Sequence, residues 1–242
     1  LVTYIDAYKQ LFDFKETIDL YEELNKLEPT AENQFSFGLY LQKLTFFNKA
    51  LEKYKEALQL YRKLAKENPR AYLPYVARTL NNLAIIHYNK NEFPHALEKY
   101  EEALQIRRKL AEENPRAYLP FVARTLNNLA ILQQEKNEFP HALKKYEKAL
   151  QIYRKLAKEN PRTYLPDVAM TLNNLAILQQ GKNEFSKALE KYEKALQIRR
   201  KLAEENPRTY LPDVAKTLNN LAVLQQDTNE FSQALEKYEE AL

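Results

Sequence analysis

Val122-Ala123-Arg124-Thr125-Leu126-Asn127-Asn128-Leu129-Ala130-Ile131-Leu132, followed by Gln133, sets Leu126, Leu129, Ala130 and Gln133 at helical spacing on one face. Pro120 suits a first helical turn, where a missing N–H costs nothing, so the spacing predicts a helix from Pro120 to about Gln134. After the short break Lys136-Asn137-Glu138, a second amphipathic pattern opens at Phe139-Pro140 and runs to about Glu159. Its inner stripe is Ala142, Tyr146, Ala149 and Ile152/Tyr153; the alanines let two helices approach closely and the tyrosine fills the space beside them. Asn160-Pro161 stops this helix, with Asn in a left-handed cap and Pro unable to continue, and Arg162-Thr-Tyr-Leu-Pro166 reads as a linker.

The whole arrangement repeats. Asn-Pro-Arg-Ala/Thr recurs at Asn68, Asn114, Asn160 and Asn206, each step being 46 residues, and residues 121–166 and 167–212 are identical at 38 of 46 positions. Tyr21, Tyr54, Tyr100, Tyr146, Tyr192 and Tyr238 are equivalent, and Gly38, Ala50, Tyr54 and Ala57 restate the motif in the more diverged N-terminal third. Six helix pairs follow, over about 1–29, 30–74, 75–120, 121–166, 167–212 and 213–242, in a single array. One hairpin cannot bury its own apolar face, so stacking must supply the core.

Composition agrees with such an array. The 242 residues hold two glycines and no cysteine, with 45% apolar and 29% charged residues and a formal net charge of +4. Few glycines favour helix over tight β-turns. The near balance of charge reads as a solvated surface. Without cysteine there are no disulfides, thiolate zinc sites or cysteine nucleophiles, in keeping with a reducing compartment and a cytoplasmic location. No stretch approaches the roughly 18 apolar residues of a membrane helix. The chain opens at Leu1 and stops at Leu242 inside a helical pattern, which reads as a piece of a longer protein.

Leu80, Leu83, Ala84, Ala96, Tyr100 and Ala103 resemble the tetratricopeptide repeat. Long second helices and the Val-Ala-x-Thr-Leu-Asn-Asn-Leu-Ala string look most like the kinesin-light-chain subtype, here with 46-residue units. His87, Gln133, Gln179 and Gln225 stand where the family usually has an aromatic residue. The resemblance implies an all-α, right-handed superhelical solenoid of antiparallel helix pairs. First helices would line a concave surface, each about 22 Å long if fifteen residues. It also implies a scaffold that binds a protein or peptide in that groove, and no enzyme.

The groove face should carry Arg78, Asn82, Ile85 and Asn89; Arg124, Asn128, Ile131 and Glu135; Met170, Asn174, Ile177 and Gly181; and Lys216, Asn220, Val223 and Asp227. Asn82, Asn128, Asn174 and Asn220 resemble the asparagine ladder of peptide-binding relatives, where a carboxamide pairs with peptide main chain by both donating and accepting. The alternative is that these amides bridge to neighbouring backbone. The twin column Asn81, Asn127, Asn173 and Asn219 is placed at the repeat boundary. Arg78, Arg124 and Lys216, with Asn89, Glu135 and Asp227, vary beside the constant column as a specificity surface would. The cations favour a ligand with carboxylates.

Other readings stand beside this one: a sensor or regulatory region of a larger multidomain protein, self-association through the array ends, and RNA binding. The runs Arg107-Arg-Lys109 and Arg199-Arg-Lys201 lie among glutamates and read as a solvated convex face. The Arg-x-Tyr elements beginning at Arg70, Arg116, Arg162 and Arg208 sit in the linkers. His87, His95 and His141 form no metal cluster or base–nucleophile pair, Ser186 and Ser232 read as helix N-caps, and two glycines cannot build a phosphate loop. No cofactor, metal or catalytic residue is assigned.

Overall fold

The computed structural model describes residues 5–6 and 14–241, and the first helix of the 1–29 pair lies outside the described residues. The chain gathers into two compact units, Leu1–Pro115 and Arg116–Leu242. Among the described residues the fold is all α, an array of antiparallel helix pairs in eleven helices with no strand.

The first unit holds α1 (Phe14–Leu27), α2 (Ala31–Lys43), α3 (Phe47–Glu67), α4 (Pro69–Asn89) and α5 (Phe93–Glu113). The second holds α6 (Pro115–Glu135, whose first residue stands at the boundary), α7 (Phe139–Glu159), α8 (Pro161–Gly181), α9 (Phe185–Glu205), α10 (Pro207–Asp227) and α11 (Phe231–Ala241). In the first unit α1 to α5 pack each on the next, and in the second α7 to α11 do the same. The core is the repeated motif: Ala142, Ala149, Ala188 and Ala195 have no exposed surface, and Tyr54, Tyr146 and Tyr192 have almost none. Each such large side chain contributes on the order of 2 kcal/mol of apolar burial.

The first helices are longer than the proline signal implies. Each of α4, α6, α8 and α10 begins at the Asn-Pro proline and has 21 residues, about 31 Å. The supposed linker is therefore helix, and Pro74, Pro120, Pro166 and Pro212 lie inside it. Each of these leaves the carbonyl four residues earlier without its helical N–H donor. One asparagine makes the whole connection. Asn68 N–H donates to Leu64 O at 2.9 Å, ending α3, while its Oδ1 accepts from Ala71 N–H at 3.1 Å, starting α4. Asn160 and Asn206 do the same with Thr163 and Thr209.

The left-handed asparagine sits in the other turn. Asn160 has φ −139°, whereas Asn91, Asn137, Asn183 and Asn229 have φ between 58° and 61°. In the turn after α6, Glu138 N–H donates to Gln133 O at 2.8 Å and Asn137 N–H to Gln134 O at 2.9 Å, a paired helix stop. Thr45, at φ 63°, fills that role after α2. Ser186 is the second residue of α9, whose N-cap is Glu184, and Ser232 is likewise second in α11, so neither serine is a cap.

Candidate peptide-binding groove

The first helices turn the expected face outward. Arg78 and Asn89 on α4, Arg124 and Glu135 on α6, and Lys216 and Asp227 on α10 are exposed. Asn82, Asn128, Asn174 and Asn220 are half-buried among them. Ile85 and Ile131 are half-buried, Met170 is half-buried, and Ile177, Gly181 and Val223 are exposed. The twin asparagines point the other way: Asn81, Asn127 and Asn173 are 5%, 2% and 2% exposed, though Asn219 is exposed.

The two amide columns touch. Asn174 Nδ2 donates to Asn127 Oδ1 at 3.4 Å, and Asn220 Nδ2 donates to Asn173 Oδ1 at 3.0 Å. These two open amides thus give their N–H to the buried amide of the preceding first helix, a side chain rather than the backbone. Asn82 donates instead to the Tyr54 hydroxyl at 3.2 Å, which itself donates to Gln42 Oε1 at 2.7 Å. Burial pushes the Tyr54 phenol well above its ordinary range, with the Asn82 bond opposing. Asn174 and Asn220 are half-buried, and a carboxamide that donates through Nδ2 keeps an Oδ1 able to accept.

The flanking cations are held by rings. The Arg78 guanidinium lies 4.0 Å from the Phe35 centroid and 5.1 Å from that of Tyr75, and Arg124 lies 5.2 Å from the Phe121 centroid. A stacked guanidinium keeps its N–H edge for a carboxylate. Asp227 accepts from Gln180 Nε2 at 2.6 Å, tying α10 to α8 at the open edge.

Three features lie beyond the sequence expectation. Tyr75, Phe121, Asp167 and Asp213 form a further variable column one turn before Arg78 and its equivalents, at the start of the helix that the proline signal already implies. Burial raises the Asp167 pKa, and Arg124 opposes this. Gln134, Gln180 and Gln226 accept from Tyr146, Tyr192 and Tyr238 hydroxyls at 3.3, 3.0 and 3.3 Å, a twelve-residue pairing visible in the sequence as co-recurring Gln and Tyr. Arg107 and Arg199 correct the convex-face reading of the basic runs: both are 5% exposed. Arg107 Nη1 donates to Asn81 Oδ1 at 3.0 Å; Arg199 Nη1 donates to Asp213 O at 3.0 Å and to Thr217 Oγ1. Arg108, Lys109, Arg200 and Lys201 stay exposed. Arg and Tyr alternate at this position, as Tyr61, Arg107, Tyr153 and Arg199, which was the signal for an inward side chain.

His87, Gln133, Gln179 and Gln225, at the usual aromatic position, are all buried. His87 Nδ1 lies 2.6 Å from Glu92 Oε2, and its ring is 5.3 Å from that of His95. Among the described residues no group of three His, Asp or Glu side chains is placed to hold a metal, and no helix is long and apolar enough to cross a membrane.

The Tetratricopeptide repeat family matches by sequence over residues 29–109, 122–162 and 168–208, together more than half of the chain. The chain belongs to the tetratricopeptide repeat family. No curated protein matches it as a whole. Among solved structures, BtubC (BKLC) from P. vanneervenii is similar at TM-score 0.72 and 24% identity, covering 96% of this chain and 88% of that one. A kinesin-light-chain-like protein of Podosopora anserina with nearly identical repeats follows at TM-score 0.64 and 18% identity, with 87% and 92% coverage. The apo form of RapI gives 0.69 and 19%, with 94% of this tetratricopeptide array and 59% of RapI covered. At these identities the likeness is one of fold, and it includes the kinesin-light-chain type of repeat. Tetratricopeptide arrays are protein-interaction scaffolds, and the chain is one in that general sense.

Proposed function

We propose that the chain binds an extended peptide segment of another protein along the open face of its first helices. The observation that carries this reading is the constant asparagine column, half-open to solvent, flanked by positions that differ between otherwise near-identical repeats. An amide whose N–H is spent on the neighbouring repeat holds its carbonyl in fixed orientation, ready to accept a peptide N–H at little entropic cost. Sequence preference then comes from the flanking columns. These include Tyr75, Phe121, Asp167 and Asp213 besides Arg78, Arg124, Met170 and Lys216.

Arg124 and Lys216 ask for carboxylates on the ligand, and Asp167 and Asp213 for a donor or cation beside them. The test is a peptide selected by display on the immobilised chain, its affinity then measured by fluorescence anisotropy. Charge reversal at Arg124 and Lys216 together should weaken binding about tenfold or more. Unchanged affinity would place the peptide elsewhere.

A further inference from the structure

The second helices carry a site of their own. Between α7 and α9 runs a cleft whose lining includes Leu150, Leu175 and Gln179, with Arg154, Lys155 and Lys158 on its α7 side. Leu150 and Leu175 are 6% and 2% exposed, and the three cations are exposed. On the α9 side Lys191 and Lys194 both engage Glu190. That carboxylate is spoken for, so Glu147 is left as the one acid facing three α7 cations that have no carboxylate partner among the described residues.

The cleft also holds an incomplete polar group. Gln179 is 7% exposed, and its Oε1 receives no hydrogen bond from the described residues. At the equivalent place one repeat earlier Gln133 Oε1 accepts from Lys145 Nζ at 2.8 Å. The lysine equivalent to Lys145 is Lys191, and it is drawn to Glu190 instead. A buried acceptor without a donor carries a desolvation cost that a ligand N–H can relieve. A related cleft lies 46 residues on, with Leu196, Leu221 and a Gln225 Oε1 that again lacks a donor, but there Glu204 replaces Lys158 and Arg200 pairs with Glu240, so the cationic side belongs to the first cleft.

We infer that this outer cleft is a second docking site, for an acidic peptide segment carrying leucine-like side chains. Carboxylates meet Arg154, Lys155 and Lys158, an apolar side chain meets the leucine floor, and a main-chain N–H meets Gln179 Oε1. A nucleic acid fits less well. No aromatic ring lines the cleft for a base to stack on, and a phosphate chain has no apolar group to match its leucine floor. The inference does not depend on the first-helix groove, which lies on different helix faces.

The probe is a fluorescein-labelled peptide alternating glutamate and leucine, followed by anisotropy with the full chain. Arg154→Glu with Lys155→Glu should weaken it about tenfold or more. Gln179→Leu should weaken binding while raising the melting temperature, a combination that lost packing alone would not give. Asn128→Ala with Asn174→Ala should leave this affinity within about twofold. Equal affinity for the charge-reversed chain would overturn the site. So would full displacement of the peptide by an equal concentration of polyuridine, which would make the cleft a nucleic-acid surface. Loss of binding in the asparagine variant alone would assign the peptide to the groove, overturning the cleft while leaving the groove proposal standing.

Discussion

Asn220 donates its side-chain N–H to the buried Asn173 carbonyl at 3.0 Å, so a half-open amide and the buried amide of the preceding first helix form one unit. The bond ties the open face to the stacking of repeats, which sets how variants on either side behave. Asn173→Ala removes a 2% exposed amide that accepts from Asn220 and should cost about 1–3 kcal/mol. Asn220→Ala leaves the buried Asn173 carbonyl without its donor and should also cost about 1–3 kcal/mol. Chemical denaturation of both single variants and of the double variant checks this, and costs that simply add would mean that the amides are not coupled.

Arg199 is buried in a position where other repeats place tyrosine. Arg199→Ala leaves Thr217 Oγ1 without its donor and the Asp213 carbonyl with only that of Thr217, and opens a cavity, so it should cost about 3 kcal/mol. Arg199→Tyr restores the residue that Tyr61 and Tyr153 supply in the same place, both 3% exposed or less. It should lie within about 1 kcal/mol of wild type. Thermal melts of both variants decide this, since a structural need for charge would make Tyr as damaging as Ala.

Thr45 is a β-branched residue at φ 63°, in the turn position that the other pairs give to asparagine. The left-handed region costs such a side chain about 1–2 kcal/mol. Thr45→Gly should therefore stabilise the first unit by about 1 kcal/mol, after allowing for the greater freedom of glycine in the unfolded chain. A lower denaturation midpoint for the glycine variant would contradict the geometry.

Asp167 is the groove-side carboxylate whose pKa burial raises, against the pull of Arg124. A carboxyl with a raised folded pKa binds protons more readily folded than unfolded. It therefore weakens the fold above that pKa and stops doing so once protonated. Asp167→Asn should raise the melting temperature at pH 7 and change it little near pH 3. The Thr171 hydroxyl keeps its bond to the residue-167 main-chain carbonyl in both forms. A gain that is the same at both pH values would exclude desolvation as the cause.

Much of the fold was legible because the 3.6-residue stripe of Leu126, Leu129 and Ala130 and the alanine–tyrosine stripe of Ala142, Tyr146 and Ala149 state which faces are buried. What misled was redundancy in the stop signals. Asn160-Pro161 and Pro166 each satisfy a rule for a helix boundary, and the side-chain cap from Asn160 to Thr163 decides for the earlier one. That choice lengthened the first helices toward their N-termini, while Asp167, just after Pro166, lay inside the expected helix already. The asparagine pair was separable by pattern, since adjacent residues on a helix lie about 100° apart. The bond between the columns was not, because it depends on how consecutive repeats stack. The glutamates around Arg199-Arg-Lys201 point to a solvated face, and only the alternation with tyrosine marks Arg199 as inward.

The account stands most directly on whether the asparagine column grips peptide main chain. The measurement is the affinity of several display-selected peptides of unrelated sequence for wild type and for Asn128→Ala with Asn174→Ala, alongside the melting temperature of each. Loss of the Asn174 donor leaves the buried Asn127 carbonyl unpaired and should lower stability by about 1–3 kcal/mol. Main-chain recognition predicts that every peptide loses about tenfold or more, whatever its side chains. Unchanged affinity in a variant that remains folded would contradict the groove as the binding site.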